Sequence, residues 1–398
     1  LLGDNVLTRV LVVCPAKVVS GWVDEVKTWE LDNLRLAGGT GKDALALMVD
    51  GSANVLITSY ESLPILLKMK HGCTGVVYDE ITRLKSPGGV SFRAMRKALK
   101  VFMWRVGLSA TPISESFEAL YGMTLMLDNG RRFGTSKEFF MQRYFNTNPY
   151  QKYDITLKEG MAKIMTDIVG TLVYEIPESV KREKLTKPHE IYLHLDYDSQ
   201  MLALQDELAE QSIAMVGGVA VLVANKAVLS SKFRQLAQGF IYNCEGEGKL
   251  LWSGRFDFVD TLIDEDPVVI TYEFDIAAVE FKRRYPHADF INGATSKKEF
   301  EDIKSRWGGG EGRLLFLQVG AGSHGLNFLQ MSAWRMINFA PIWSNDKSIQ
   351  LIGRLDRTGQ TRQVEVLNIV VNGSIDEMVV ERVAGKKKHF MDFLKHLN

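Results

Sequence analysis

The chain has 398 residues, 46% hydrophobic and 24% charged, and its 48 Lys and Arg are balanced by 48 Asp and Glu. That length allows two or three domains with full cores, and neutrality excludes a uniformly basic coat, so any nucleic-acid contact must come from local patches. Cys14, Cys73 and Cys244 stand apart with no CxxC and no His at ligand spacing, which argues against a disulfide frame or zinc site and fits a reducing compartment. Apolar runs are short and broken, as at Pro15, so neither a membrane span nor a signal peptide is expected.

In chain order, the first short apolar run is Val10–Cys14, followed by a helical stretch, Ser20–Trp29, with Ser20 as its expected N-cap. The runs Val55–Thr58 and Val76–Tyr78 come next, then helical spacing over Ser91–Leu99 and a further run, Trp104–Leu108. From about Asn129 to Lys249 the composition shifts toward Lys, Gln, Phe and Tyr, with helical spacing over Ser199–Gln211. The charged stretch Glu178–Pro188, between Pro177 and Pro188, reads as a hinge. Beyond it the scheme repeats: runs at Val268–Thr271, Leu314–Val319, Met336–Phe339 and Val364–Val371 alternate with helical stretches at Asp275–Arg284, Ser296–Arg306 and Asn345–Leu355. Continuous apolar runs alternating with amphipathic stretches indicate an α/β fold with parallel sheets and crossover helices. The expected division is 1–128, a helical insertion and hinge at 129–249, and 250–398.

Ligands of open parallel sheets gather at the carboxyl ends of strands, and the unusual residues stand there. Val76–Tyr78 ends in Asp79 and Glu80. Asp79 suits Mg²⁺ held through its water shell, and Glu80 suits orienting and deprotonating an attacking water; a solvated strand end is the bland alternative. Gly107-Leu108-Ser109-Ala110-Thr111-Pro112 follows the next run. Its hydroxyls suit sensing a phosphate or bonding the acidic pair, while Thr111 also suits an N-cap with Pro112 at the first helical position. In Gln350–Gln360, Gln350, Arg354 and Arg357 fall at i, i+4 and i+7, on one face if the helix runs on. Two guanidiniums aimed one way match a polyphosphate.

Taken together, Asp79-Glu80-Ile81-Thr82 with Arg83-Leu84-Lys85-Ser86 resembles the DEAH-box segment of the Swi/Snf family in helicase superfamily 2. Ser109-Ala110-Thr111-Pro112 resembles its SAT motif, and Gln350–Gln360 its last motif, with the Arg-x-Gly-Gln ending. Val13-Cys14-Pro15-Ala16 with Trp22, Ile57-Thr58-Ser59-Tyr60, Gly320–Asn327 and Pro341–Asn345 match further motifs in the family's order. The resemblance implies two RecA-like lobes and a double-stranded-DNA-dependent ATPase that translocates on duplex. It implies ATP and Mg²⁺ between the lobes, with Asp79 and Glu80 from the first and Arg354 and Arg357 from the second. Gln350, Ser109, Thr111 and Gly325 are the further nucleotide candidates. DNA would be met through its phosphates by Lys17, Ser59 and Tyr60 in the first lobe and Tyr272, Ser323 and Asn327 in the second. Tyr60 and Trp22 equally suit the core, and for Trp22 the core is favoured.

The pattern departs from the family in two places. No Gly-x-x-x-x-Gly-Lys-Ser/Thr loop is present: in Gly38–Lys42 the first glycine is replaced by Leu36 and the lysine is followed by Asp43. Leu1 is not a methionine, so the chain is expected to be a piece of a longer protein, inactive by itself, with the phosphate loop just upstream. The second departure is Ile81-Thr82 where the family has Ala-His, which bears on coupling between acidic box and SAT motif. A cytoplasmic location in a bacterial or phage-infected cell, or a nuclear one in a eukaryote, is expected. The alternatives left open are a pseudo-ATPase that clamps DNA without turnover and a strand-separating helicase.

Overall fold

The structure is a computed structural model that describes residues 9–28, 34–109, 116–148, 151–174, 187–210, 213–216, 219–222, 226–322 and 326–385. The chain divides into two compact units, one within Leu1–Glu175 and one comprising Ile176–Gly385. Most of the stretch read as a hinge lies outside the described residues.

The first unit is built on a five-stranded parallel sheet. Its strands are β1 (Val10–Cys14), β2 (Leu36–Gly38), β3 (Val55–Ser59), β4 (Gly75–Asp79) and β5 (Trp104–Leu108), in the order β2-β3-β1-β4-β5. Side chains alternate across a strand, so an unbroken apolar run feeds both faces of a sheet. Leu11 and Val13 join Leu56, Val76 and Tyr78 in one core, which receives Leu45 and Met48 from the helix Lys42–Asp50 and Phe92 and Met95 from the helix Val90–Ala98. Val12 and Cys14 face the other side, covered by Val19, Trp22 and Val23 of the helix Val19–Thr28. That helix begins at Val19, so Ser20 lies inside its first turn. β5 is the outer strand, and Trp104, Val106 and Leu108 are 42–46% exposed. The apolar run there is an edge rather than the buried strand its composition suggests. A hairpin of β6 (Phe145–Asn148) and β7 (Gln151–Leu157) and the helix Met161–Gly170 complete the unit.

The second unit carries β8 (His189–Leu195), two small antiparallel pairs, β9 (Ile213–Val216) with β10 (Val219–Leu222) and β11 (Phe240–Tyr242) with β12 (Gly248–Leu250), and the main strands. These are β13 (Val268–Tyr272), β14 (Asp289–Ile291), β15 (Leu314–Gln318), β16 (Arg335–Asn338) and β17 (Glu365–Val371). The six-stranded sheet runs β14-β15-β13-β16-β17-β8, parallel throughout. One face packs Val269, Leu315 and Met336 on Ile303 and Trp307 of the helix Lys297–Gly308. The other packs Ile270, Phe316 and Ile337 on Phe256 and Phe281, from the helices Gly254–Leu262 and Asp275–Arg284. β8, which reads in sequence as the far side of the charged hinge, is thus an edge strand of this sheet, pairing from His189↔Glu365 to Leu195↔Val371. Both units are parallel α/β sheets flanked by helices on both faces, the fold class expected.

Candidate nucleotide and DNA sites

In the first unit, β4 delivers Asp79 and Glu80 at its carboxyl end, both half-buried. The chain turns there through a left-handed Glu80 (φ 60°, ψ 61°), a conformation that costs a residue with a Cβ about 1–2 kcal/mol and persists where neighbours hold it. Tyr60 is one such neighbour. Its buried hydroxyl donates to the Asp79 carbonyl at 2.9 Å, with the Glu80 carbonyl at 3.2 Å. Burial first, then the charges of Asp79 and Glu80, pushes the phenol pKa up, so it remains a donor at any physiological pH. The Arg83 guanidinium lies 5.4 Å over the Tyr60 ring and pairs with Glu61 at 2.9 Å.

Each carboxylate has its own donors. Trp22 Nε1 donates to Asp79 Oδ2 at 2.9 Å. Ser109 Oγ, just past β5, donates to Glu80 Oε1 at 3.3 Å, and Thr82 Oγ1 donates to the same oxygen. The register Asp79↔Leu108 sets these strand ends side by side, so acidic pair and SAT serine meet as the sequence suggested. Thr111 lies outside the described residues. The glycine-rich stretch 38–42 is no phosphate cradle: Gly39 N donates to Ile57 O at 3.0 Å and Gly41 N to Ser62 Oγ at 3.3 Å, so these amides already have protein acceptors.

Of the first-unit DNA candidates, Ser59 is 1% exposed and linked to Ser62 Oγ at 3.2 Å, and Tyr60 is 3% exposed. These two side chains are withdrawn from any surface contact because β3 ends inside the core, and Tyr60 serves the acidic turn instead. Lys17 sits in the 3-10 turn Ala16–Val18; its side chain is outside the described residues.

In the second unit, the helix starting at Asn345 stops at Ile352, not Leu355. Gly353 caps it, and Arg354 N→Leu351 O and Leu355 N→Ile352 O (both 3.0 Å) tighten the chain into successive three-residue turns. Gln350 is therefore helical and half-buried, while Arg354 and Arg357 sit in the turns. The helical face expected for the three does not form, yet the guanidiniums converge: Arg354 Nη1 donates to Asn327 Oδ1 at 3.3 Å, and Arg357 Nη1 donates to the same atom. The Gly-Gln ending has a local reason. Gly359 has φ 98°, which a side chain would strain, and a Cβ there would meet Met331 Sδ at 3.3 Å. Gln360, 8% exposed, donates to Ala333 O at 2.9 Å and accepts from Thr361 N and Arg362 N.

Asn327 is exposed and anchors the arginines; Ser323 and Gly325 lie outside the described residues. Tyr272, at the end of β13, is 2% exposed, so its ring is core rather than surface. It borders a cavity of about 150 Å³ at the carboxyl ends of β13 and β16, lined also by Arg234, Glu273, Trp343 and Lys347. Arg234 pairs with Glu273, and the guanidiniums of Arg234 (5.9 Å) and Arg382 (5.1 Å) both lie over the Trp343 ring. Sequence reasoning missed Arg234, Lys347 and Arg382, because single basic residues on separate helices leave no local pattern. It also missed the polar roles of Trp22 and Thr82.

The first unit thus presents an acidic pair beside a hydroxyl strand end, and the second a pair of converging arginines. Residues 4–234, more than half of the chain, match the SNF2-related domain, and the chain belongs to that family, whose members are DNA-dependent ATPases. Putative protein p41 of Acyrthosiphon pisum secondary endosymbiont phage 1 is 24% identical over 402 residues, covering 95% of this chain and 85% of that one. The DNA repair and recombination protein RAD54-like of Drosophila persimilis is 23% identical over 438 residues (96% and 55%), and that of Gallus gallus 23% over 439 (96% and 58%). The chain thus spans little more than half the length of the RAD54-like relatives. A solved structure, the Sulfolobus solfataricus SWI2/SNF2 ATPase core in complex with dsDNA, is similar at 22% identity and TM-score 0.41, over 98% of this chain and 83% of that one. Among the described residues, no helix is long and apolar enough to cross a membrane.

Proposed function

We propose that this chain is the motor core of an ATP-driven translocase on duplex DNA, with Glu80 as the base that takes a proton from the attacking water. The observation that carries this reading is the acidic turn, where a strained Glu80 is held by Tyr60, Thr82 and Ser109 at the end of a parallel strand. Strain kept in place by several neighbours is what a positioned catalytic group requires. Asp79 fits Mg²⁺: one half-buried carboxylate at a strand end suits an ion that keeps most of its waters, and among the described residues no cluster of three or more His, Cys, Asp or Glu offers a full protein cage. Bound there with ATP, Mg²⁺ would neutralise phosphate charge. Arg354 and Arg357, gathered on Asn327, supply cations for the developing charge on the phosphates, with Gln350 on the preceding helix as a further nucleotide contact. DNA contacts are assigned to its phosphates, with Lys17 and the cations Arg234 and Lys347 as the groups that meet them, while Asn327, expected from the sequence on the DNA side, is engaged by the two arginines. In this reading the first lobe ends near 128 and the second begins near 250.

ATP hydrolysis by the full-length protein, with and without blunt duplex, tests the proposal. Duplex is expected to raise turnover about tenfold or more, and Glu80→Gln to lower it on the order of 10²- to 10⁴-fold with ATP binding retained. Normal turnover in Glu80→Gln would remove Glu80 from the role. DNA binding without turnover by the wild type would make the protein a clamp, and strand release from a tailed duplex would make it a helicase.

A further inference from the structure

Thr82 stands where the Swi/Snf pattern has histidine, and the structure gives this position a definite contact. It is half-buried, second in the 3-10 turn Ile81–Leu84, directly after left-handed Glu80. That left-handed residue reverses the chain and brings the Thr82 hydroxyl back over the carboxylate two residues earlier, where Oγ1 donates to Glu80 Oε1. Ser109 Oγ reaches the same oxygen from the end of β5 at 3.3 Å. One donor leaves a carboxylate free to rotate about its last bond; two donors on one oxygen, arriving from different elements, fix its plane. Tyr60 holds the backbone on the other side through the Asp79 and Glu80 carbonyls, so both ends of the glutamate are constrained.

We infer that Thr82 is a positioning residue of the hydrolytic site: its hydroxyl locks the Glu80 carboxylate against the β5 end and so sets the direction from which Glu80 receives the proton of the attacking water. The inference rests on the proposed ATPase function. It replaces the link an imidazole would make with one made through the base itself. The requirement is for a hydroxyl at this place rather than for bulk, so serine satisfies it and the isosteric valine does not.

The experiment measures kcat and KM for ATP of the full-length protein with saturating duplex, in wild type, Thr82→Val, Thr82→Ser, Glu80→Gln and the Thr82→Val/Glu80→Gln pair. Thr82→Val is expected to lower kcat about 10-fold, the loss that removing one hydrogen bond to a charged group gives, with KM for ATP within about twofold of wild type. Thr82→Ser is expected to keep more than about half of kcat. In the Glu80→Gln background Thr82→Val is expected to change nothing further, because the hydroxyl acts only through Glu80. Wild-type kcat in Thr82→Val, beside a dead Glu80→Gln, would overturn the inference and leave the ATPase reading intact. Equal losses in Thr82→Val and Thr82→Ser would assign the effect to packing and overturn it as well. A wild type with no turnover under duplex would overturn both.

Discussion

Asp79 and Glu80 are neighbours in sequence, yet their carboxylates are held by different kinds of donor, and the difference suits two tasks. Asp79 Oδ2 takes an indole N–H from Trp22, a donor that never titrates and has no second orientation, carried on the helix Val19–Thr28 that packs beneath β1. Glu80 Oε1 takes two hydroxyls from different elements, which together hold the plane of the carboxylate. A group that steadies a hydrated cation benefits from a donor that cannot reorient, and a group that takes a proton benefits from donors that set its direction. Trp22→Phe keeps an aromatic ring on the helix and removes the N–H together with part of the indole, which leaves a small gap in the packing on β1. The expected result is a rise, on the order of tenfold, in the Mg²⁺ concentration that half-saturates duplex-stimulated ATP hydrolysis, measured below the lowered thermal midpoint of the variant. A Mg²⁺ titration of the full-length variant that overlays the wild type would deny Trp22 this role and return it to the core.

At the scale of elements, the helix Ala119–Asp128 holds the acidic turn from below. Gly122 faces the 3-10 turn so closely that a Cβ there would lie 2.6 Å from the Leu84 carbonyl oxygen and nearer still to that of Lys85. Both obstacles are backbone, so neither rotates away. Gly122→Ala is expected to destabilise the protein by about 1–3 kcal/mol and to reduce turnover more than its stability loss explains, since the turn that must shift carries Thr82. Urea unfolding beside kcat checks this; a variant as stable as wild type would show that the contact gives way. This approach is invisible in sequence, because a glycine in an apolar helix reads only as a weak helix former. The main strands were legible, since runs such as Val10–Cys14 and Val268–Thr271 are buried on both faces and composition reports burial. The edges were not. β2 and β14 are three residues long, and β8 alternates half-exposed residues beside a charged segment, so the apolar signal thins where one side of a strand has no partner. In the site, the acidic pair and the arginines could be read as local motifs. The bond from Trp22 to Asp79 spans 57 positions, and only the packing of a helix on β1 creates it. The arginine expectation erred in its means: convergence comes from tight turns and Asn327 rather than from a helical face.

For the molecule as a whole, charge decides how DNA is met. With 48 basic and 48 acidic residues no long-range field favours a polyanion, so attraction must arise where cations stand close to the phosphates. Candidate groups are few, and several are already engaged, as Arg234 is with Glu273. A motor that moves along duplex gains nothing from reading bases, and contacts limited to phosphates are indifferent to sequence. Both considerations lead to one expectation: weak, salt-sensitive and sequence-independent binding. With roughly three phosphates neutralised, the logarithm of affinity should fall against the logarithm of salt with a slope of about −2.7, so that raising salt from about 50 to about 200 mM weakens binding roughly 40-fold. Blunt duplexes of unrelated sequence should agree within about twofold at each salt. Fluorescence anisotropy of labelled duplexes with the full-length protein measures both quantities. A flat salt dependence would exclude phosphate-based binding, whereas a preference of tenfold or more for one sequence would mean that side chains reach base edges, since each specific base pair contributes about 1–3 kcal/mol. Binding through phosphates alone predicts instead that replacing Lys347 lowers the slope by about one unit for every duplex alike, and that replacing Arg234, already paired with Glu273, lowers it by less.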